Sequence, residues 1–535
     1  MKNWQKKVSL VLCLVLVVAV ALSACGGSSS SGSSANSGSS SSSANSGSAA
    51  AAEPVKKDTL TIAIPGNPTT IDPHGKNDAT SMAVRRQIYE GLTLINPNME
   101  IEPCLAESWE ISEDGSSYTF HIRQGVKFSD GNEMKASDVA YSLQRAYDGN
   151  YATVFMAAFD LENSKVIDDY TYELALKYPS GTVLQTLAYP SVGITEESVV
   201  TGLADDQIST QCPGTGPYKF SAWADGDSVT LVKNENYWGE CAGCDTMVLR
   251  IIPETSSRVV EVETGSVDIA YDVSITDINR YVDDPNVNTY RTTTTFLTYI
   301  GMNCTKAPFD NPLVRQAVGH CVNREDFVAM VWGGQGTPAT SIVSDSLYGY
   351  SPDVELLDYN PETSKALLAE AGYPDGLDTY IWVRDQQLFM DAGEALANQL
   401  RAGGFNAQVK VVEWASLLVD LENKQLDIYI MNLGVPTGDA GDGLFRYFSS
   451  TSPFSSNTAF YSNPEFDALL EKANRETDPA KRLGLLKECQ QFAINDAPWV
   501  PLLNNESLFL STAKVQGLDL HPSTYQYFKD TYVLK

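Results

Sequence analysis

Two aspartates stand three residues apart in the turn "PTGDAGDG" (436–443), which closes the apolar run "LDIYIMNLGV". A carboxylate flanked by Gly438, Ala440 and Gly441 leaves room for another backbone to come close, and it accepts charge-assisted hydrogen bonds from an ammonium. The same residues also suit a helix cap or a solvated hairpin. Bond-breaking chemistry finds little support elsewhere. The folded part of the chain holds four histidines, His74, His121, His320 and His521, and none forms an H-E-x-x-H pair. It has no G-x-S-x-G elbow, and the Gly-rich "WGGQGTPAT" lacks the lysine of a phosphate cradle. Reading Asp439 and Asp442 as a glycosidase pair is less economical than reading them as a turn. The chain is expected to bind rather than to catalyse, with no cofactor and no metal.

The elements that position such a site read as mixed α/β, with strands and helices interleaved from about Asp58 onward. Asn311-Pro312, Asn360-Pro361, Asn463-Pro464 and Asp478-Pro479 each predict a helix start: Asn or Asp caps the free amides and Pro fits the first helical position. After Pro464, Phe466, Leu469, Leu470 and Ala473 fall on one helical face. "GPYKFSAW-ADGD-SVTLVKNENYW" predicts a hairpin turning at Asp225-Gly226. In that register, residues whose numbers sum to 451 face each other, which sets Cys212 near Cys241 and Cys244. A Cys212–Cys241 or Cys212–Cys244 disulfide is therefore expected, and Cys304 with Cys321 is a further candidate. Zinc at Cys241-Ala-Gly-Cys244 lacks a second ligand pair.

The formal net charge of −30 over 535 residues argues against nucleic acid, whose phosphates would be repelled. Lys2, Lys6 and Lys7 precede the apolar run "VSLVLCLVLVVAVALSA", and Cys25 follows it. This segment reads as an export signal, and its end, Leu22-Ser23-Ala24-Cys25, resembles the bacterial lipoprotein box with an acylated (palmitate-type) Cys25. Two acyl chains suffice for stable anchoring. Residues 26–57, rich in Ser, Gly and Ala, read as a disordered linker of roughly 30 Å reach. The expected location is the outer face of the cell membrane, Gram-positive-type or periplasmic.

From Asp58 to Lys535 the chain resembles the family 5 extracellular solute-binding proteins, the dipeptide-, oligopeptide- and nickel-binding components of ABC importers. The stretches that carry the likeness include "IYEGL" (88–92), "LAESWEISEDGSSYTFHIRQGVKFSDG" (105–131), "GTGPYKF" (214–220), "NYWG" (236–239), "KAPFDNPLVRQAV" (306–318), "NPEFDALLEKA" (463–473) and "DAPWVPL" (496–502). The resemblance implies an α/β, two-lobe, periplasmic-binding-protein-like fold of class C. Lobe one would span 58–295 plus 505–535, with an extra subdomain at about 84–195, and lobe two 296–504. The hinge would be two chain crossings, near Thr295-Phe296 and near Asn504. Closure around a ligand would follow from its better fit to the closed state.

By the same resemblance the cargo is a short peptide passed to a membrane permease, and the protein acts as a monomer. Asp439 would take the peptide's ammonium, with Gly438 giving access. Relatives carry Gly-Trp before this turn; "NLGVP" (432–436) has no Trp, so Leu433 would supply an aliphatic wall. Arg384, in "YIWVRDQ" (380–386), would offer a bidentate fork to the ligand carboxylate, or pair with Asp385. Trp382 has the parity of Arg384 on a strand and lines a pocket or joins the core. Phe296, Tyr299 and Met302 follow the first crossing and would edge the cleft or pack inside, and "DPHGKND" (72–78) would form a rim. Alternatives on the same scaffold are a nickel chelate, an oligosaccharide, or a surface sensor that has lost transport.

Overall fold

A computed structural model describes residues 55–535, apart from Asn77, Asn150, Phe454 and Thr524. The leader, Cys25 and linker residues 26–54 lie outside the described residues. Lys56 pairs with Leu534, and the Lys57 amide donates to Val533 O at 2.7 Å. The Lys57 ammonium sits 2.9 Å from the buried Asp268 carboxylate. The end of the expected linker is thus already held by the fold.

Eleven strands form one sheet. In chain order they are β1 (Thr59–Ile64), β2 (Tyr218–Ala224), β3 (Ser228–Lys233), β4 (Thr246–Ile251), β5 (Ile269–Ala270), β6 (Val287–Met302), β7 (Thr337–Pro338), β8 (Leu377–Arg384), β9 (Phe405–Val412), β10 (Ile428–Gly434) and β11 (Trp499–Thr512). Across the sheet the order is β9-β8-β10-β6-β11-β5-β1-β4-β3-β2, with β7 beside β11. Period-2 patterning sets the faces: in β8, Leu377, Thr379, Ile381 and Val383 are buried, while Asp378 and Tyr380 are exposed. β6 and β11 are long enough to serve both halves of the sheet. Their antiparallel register runs from Val287↔Thr512 to Thr293↔Glu506, breaks across residues 294–296, and resumes at Leu297↔Asn504.

The cores fall on either side of that break, which makes two lobes. One side holds Leu60, Leu249 and Phe509, with Ala63, Val262 and Leu510 on the opposite sheet face. The other side holds Ile300, Ile381 and Leu396 on one face and Tyr299, Leu444 and Trp499 on the other. Each buried Leu, Ile, Val or Phe among them stabilises its lobe by about 1.5–3 kcal/mol. A further core, with Phe120, Phe128, Leu143 and Leu174, sits under a four-stranded sheet of Ala106–Ile111, Ser117–Ile122, Thr171–Ala175 and Lys165–Asp168. This inserted subdomain touches the second lobe, where the Gly181 amide donates to Asn474 O at 2.8 Å.

The helix starts follow their caps. Asn311, Asn360, Asn463 and Asp478 each accept a backbone N–H through the side chain, with Pro next in the chain. The hairpin differs from its expectation in one step. Pairs sum to 451 from Tyr218↔Lys233 to Phe220↔Leu231, then to 452 from Ala222↔Thr230 to Ala224↔Ser228. A bulge at Ser221 absorbs the extra residue of the Asp225-Gly226-Asp227 loop.

The expected disulfides are absent, and all seven described cysteines are free. The ladder does not extend back from Tyr218 to Cys212. Instead Cys212 caps a helix end under Tyr89, while Cys241 Sγ reaches Lys529 O. Cys304 contacts Met302 O, and Cys321 contacts Ala317 O and Ser364 Oγ, so that pair is separate too.

Candidate ligand-binding site

The aspartate turn is built around an internal ion pair. Three helices define it: α1 (Ala440–Phe448), α2 (Pro464–Arg475) and α3 (Pro479–Asp496). Asp439 is the N-cap of α1, its Oδ1 accepting from the Gly441 and Asp442 amides at 2.8 and 3.3 Å. Arg482 of α3 grips both oxygens, Nη1 on Oδ2 and Nη2 on Oδ1, each at 2.7 Å. Asp439 is 0% exposed. Burial works against the Arg482 charge, but the Asp439 carboxylate outweighs it and holds the guanidinium above its usual pKa. The positive charge this turn asks for is therefore Arg482, and Asp439, wholly buried and paired through both oxygens, is closed to a ligand ammonium. That expectation is corrected.

Its neighbours are structural as well. Gly438 has φ +70°, and a Cβ there would lie 2.3 Å from Met99 Cε, so it lets the turn pack on the first lobe. The gap it lines with Arg86, Tyr189 and His521 holds about 10 Å³, the space of one water at most. Leu433 is half-buried against the core of Leu444 and Trp499, and Phe296 lays its ring over Gly434. Tyr299 is wholly buried, stacked on Trp499 at 3.4 Å with its hydroxyl on Thr458, and Met302 is buried too. Both are core residues and do not edge a cleft. In "DPHGKND", Asp72 is bound by Arg145 at 2.7–2.8 Å and His74 is buried, so these two side chains are held by the first lobe's own contacts. Burial pushes the His74 imidazole down to about 4 and that of His521 down to about 3.

Arg384 is different. It ends β8, where the carboxyl ends of α/β strands commonly meet a ligand. Its guanidinium lies 3.7 Å over the Phe389 ring and 5.3 Å from the Trp414 ring. Nε is buried without a hydrogen bond, and among the described residues no carboxylate pairs with it, Asp385 included. Burial lowers its pKa. Arg384 lines a cavity of about 160 Å³ with Thr298, Trp332, Asn432, Asn505 and Glu506. Trp382 is not in that cavity. It is half-buried beside the core, with the Lys410 ammonium 4.2 Å over its ring and Nε1 unpartnered.

Asp442, which reads as structural in the sequence, stands at a second and larger cavity of about 530 Å³ with Thr437, Phe155, Tyr178 and Asn474. There it is tied to Arg446 at 2.9 Å and to Thr437 Oγ1 at 2.8 Å. This space lies between the inserted subdomain and α1–α2. The aspartate turn and Arg384 therefore do not share a cavity.

Sequence reasoning missed Thr298, Asn432, Asn505 and Glu506, which three separate strands bring together. The one available signal was "NNES" (504–507), a polar interruption in the apolar run "WVPLLNNESLFL". Among the described residues there is no metal-ligating cluster, and no helix is long and apolar enough to cross a membrane.

The profile of the bacterial extracellular solute-binding proteins, family 5 Middle, matches residues 100–455. The chain belongs to this family. Family 5 proteins bind substrates for transport and are not enzymes. The glutathione-binding protein GsiB of Salmonella typhi is 29% identical over 481 residues, which is 88% of this chain and 94% of that one. Among solved structures, HbpA2 of Haemophilus parasuis superposes with a TM-score of 0.81 at 28% identity, covering 89% of this chain and all of that one. A dipeptide-binding protein of Pseudoalteromonas sp. SM9913, in complex with Met-Leu, gives 0.73 at 26% identity, covering 89% of this family 5 chain and 100% of its own. The two-lobe periplasmic-binding-protein fold follows.

Proposed function

We propose that the protein captures short peptides outside the cell and passes them to the transmembrane permease of an ABC importer, working as a monomer held to the membrane through a lipidated Cys25. The observation that carries the reading is Arg384: a half-buried guanidinium without a counter-ion, in a cavity at the carboxyl end of β8. A buried cation without a partner is costly, and a ligand carboxylate removes that cost by a bidentate pair. The glutathione and Met-Leu named for two relatives are both short peptides with free carboxylates, which supports the same class.

A thermal-shift titration with short peptides tests this. A ligand at about 100 times its Kd adds about 2.7 kcal/mol to stability, and Arg384→Met is expected to abolish that gain. If the shift is the same in wild type and Arg384→Met, the carboxylate is held elsewhere. For the anchor, Cys25→Ser is expected to move the protein from the membrane fraction into the soluble one.

A further inference from the structure

We propose that the cavity of about 530 Å³ between the inserted subdomain and α1–α2 is a second ligand site, taking a hydrophobic amine: an aromatic ring on a short chain that ends in an ammonium. This goes beyond peptide capture and does not depend on Arg384, which lines a different cavity.

Apolar side chains from both sides make room for the ring. The inserted subdomain supplies Val154, Phe155 and Tyr178, and the second lobe supplies Phe445 and Leu470. Val154 is 54% exposed and Tyr178 38%. Large apolar groups left open to water around one hollow favour an apolar guest. The volume lies within the roughly 300–1,000 Å³ of sites that enclose a small molecule.

The charge of the guest follows from which ionic groups already have partners. Asp442 is paired with Arg446 at 2.9 Å, and that guanidinium also lies 4.5 Å from the Phe155 ring. Glu471 is paired with Arg475, whose guanidinium lies 5.3 Å from the Tyr178 ring. Asp467 is the third acid of the lining, and among the described residues no cation pairs with it. Its Oδ1 accepts from the Ser450 amide at 3.0 Å, and Oδ2 has no bond among the described residues. The lining therefore carries one carboxylate in excess, at the edge of an apolar hollow. An ammonium there gains a charge-assisted hydrogen bond as its ring leaves water, whereas an anionic guest meets a like charge. The guest touches the inserted subdomain and α1–α2 together, so it favours the arrangement in which these are in contact.

Tryptamine and indolepropionate share ring and chain and differ in the sign of the charge, so calorimetric titration of the full chain with both decides. Wild type is expected to bind tryptamine about tenfold or more tightly than indolepropionate. Asp467→Asn, which keeps an oxygen for the Ser450 amide, is expected to bring the two within about threefold. Ala157→Trp, at an exposed position of the lining, fills the hollow and is expected to weaken tryptamine by about tenfold or more. A peptide amino-terminus offers the same chemistry as a free amine, so Trp-Gly-Gly is titrated as well. Weakening of tryptamine alone in Ala157→Trp supports a site for free amines, and weakening of both supports one that also takes peptide amino-termini. Equal affinity of wild type for the two indoles overturns the inference, and that comparison depends on no variant folding. So does an unchanged tryptamine affinity in Ala157→Trp. If short peptides bind wild type and neither indole does, the second site falls and peptide capture stands.

Discussion

Asp439 and Arg482 sit 0% and 3% exposed by side chain, so each offsets the largest part of the cost of burying the other's charge. Removing one leaves a charge in the interior, and Asp439→Asn or Arg482→Met alone is expected to cost about 3–5 kcal/mol in urea denaturation. The double variant should cost less than the sum, which a double-mutant cycle reads directly. The sequence placed the acid in a cramped turn but gave no hint of its partner, 43 residues further on in α3. Glu90 is a second buried acid, accepting from Trp238 Nε1 at 2.8 Å and Thr215 Oγ1 at 2.9 Å. Burial raises its pKa to about 6 against the lowering effect of those bonds. The folded state therefore holds a proton that the unfolded chain has released, and the stability this provides is present below about pH 4.5 and lost as pH rises through about 6. Over that interval wild type should lose about 2 kcal/mol that Glu90→Gln, which does not titrate, retains. Denaturation of both proteins at pH 4.5 and 7 measures it.

Among elements, helices with an Asn-Pro or Asp-Pro start were the most legible, because the cap and the proline act within one turn. Asp478→Ala should cost about 1 kcal/mol, since its carboxylate satisfies the Lys481 amide at 3.0 Å at the start of α3. The hairpin was legible down to its pairing, and only the one-residue bulge at Ser221 escaped. Bulges depend on how a loop of three rather than two residues closes, which local composition does not decide. The contact between the inserted subdomain and the second lobe had no local signature. A Cβ at Gly181 would come within 2.5 Å of Arg482 Nε and 2.6 Å of Glu476 O. Gly181→Ala is thus expected to destabilise the protein by about 1–3 kcal/mol through overpacking at that seam, as a lower midpoint of thermal unfolding.

At the scale of the molecule, the family and the two-lobe fold were legible because many short stretches agree in order. Of the candidate site only Arg384 was legible, because the other walls come from strands at 298, 432 and 505–506 that only the sheet order makes adjacent. Ligand capture should pivot where the β6–β11 register breaks. Thr293 and Leu297 are the last and next paired residues there, and Glu506 and Asn504 are their partners. Small-angle scattering is expected to give a smaller radius of gyration with a bound peptide than without; an unchanged radius would mean that the lobes do not close on it.

The seating of the chain's first described residues has a mechanical consequence. Lys56 and Lys57 are knitted to residues 533–534 and to Asp268, all at the first lobe. A pull arriving from the N-terminal side is borne first by these pairings, which lie on the first-lobe side of the β6–β11 register break. Load from whatever precedes the fold is therefore expected to fall on the first lobe, away from the register break between Thr293 and Leu297.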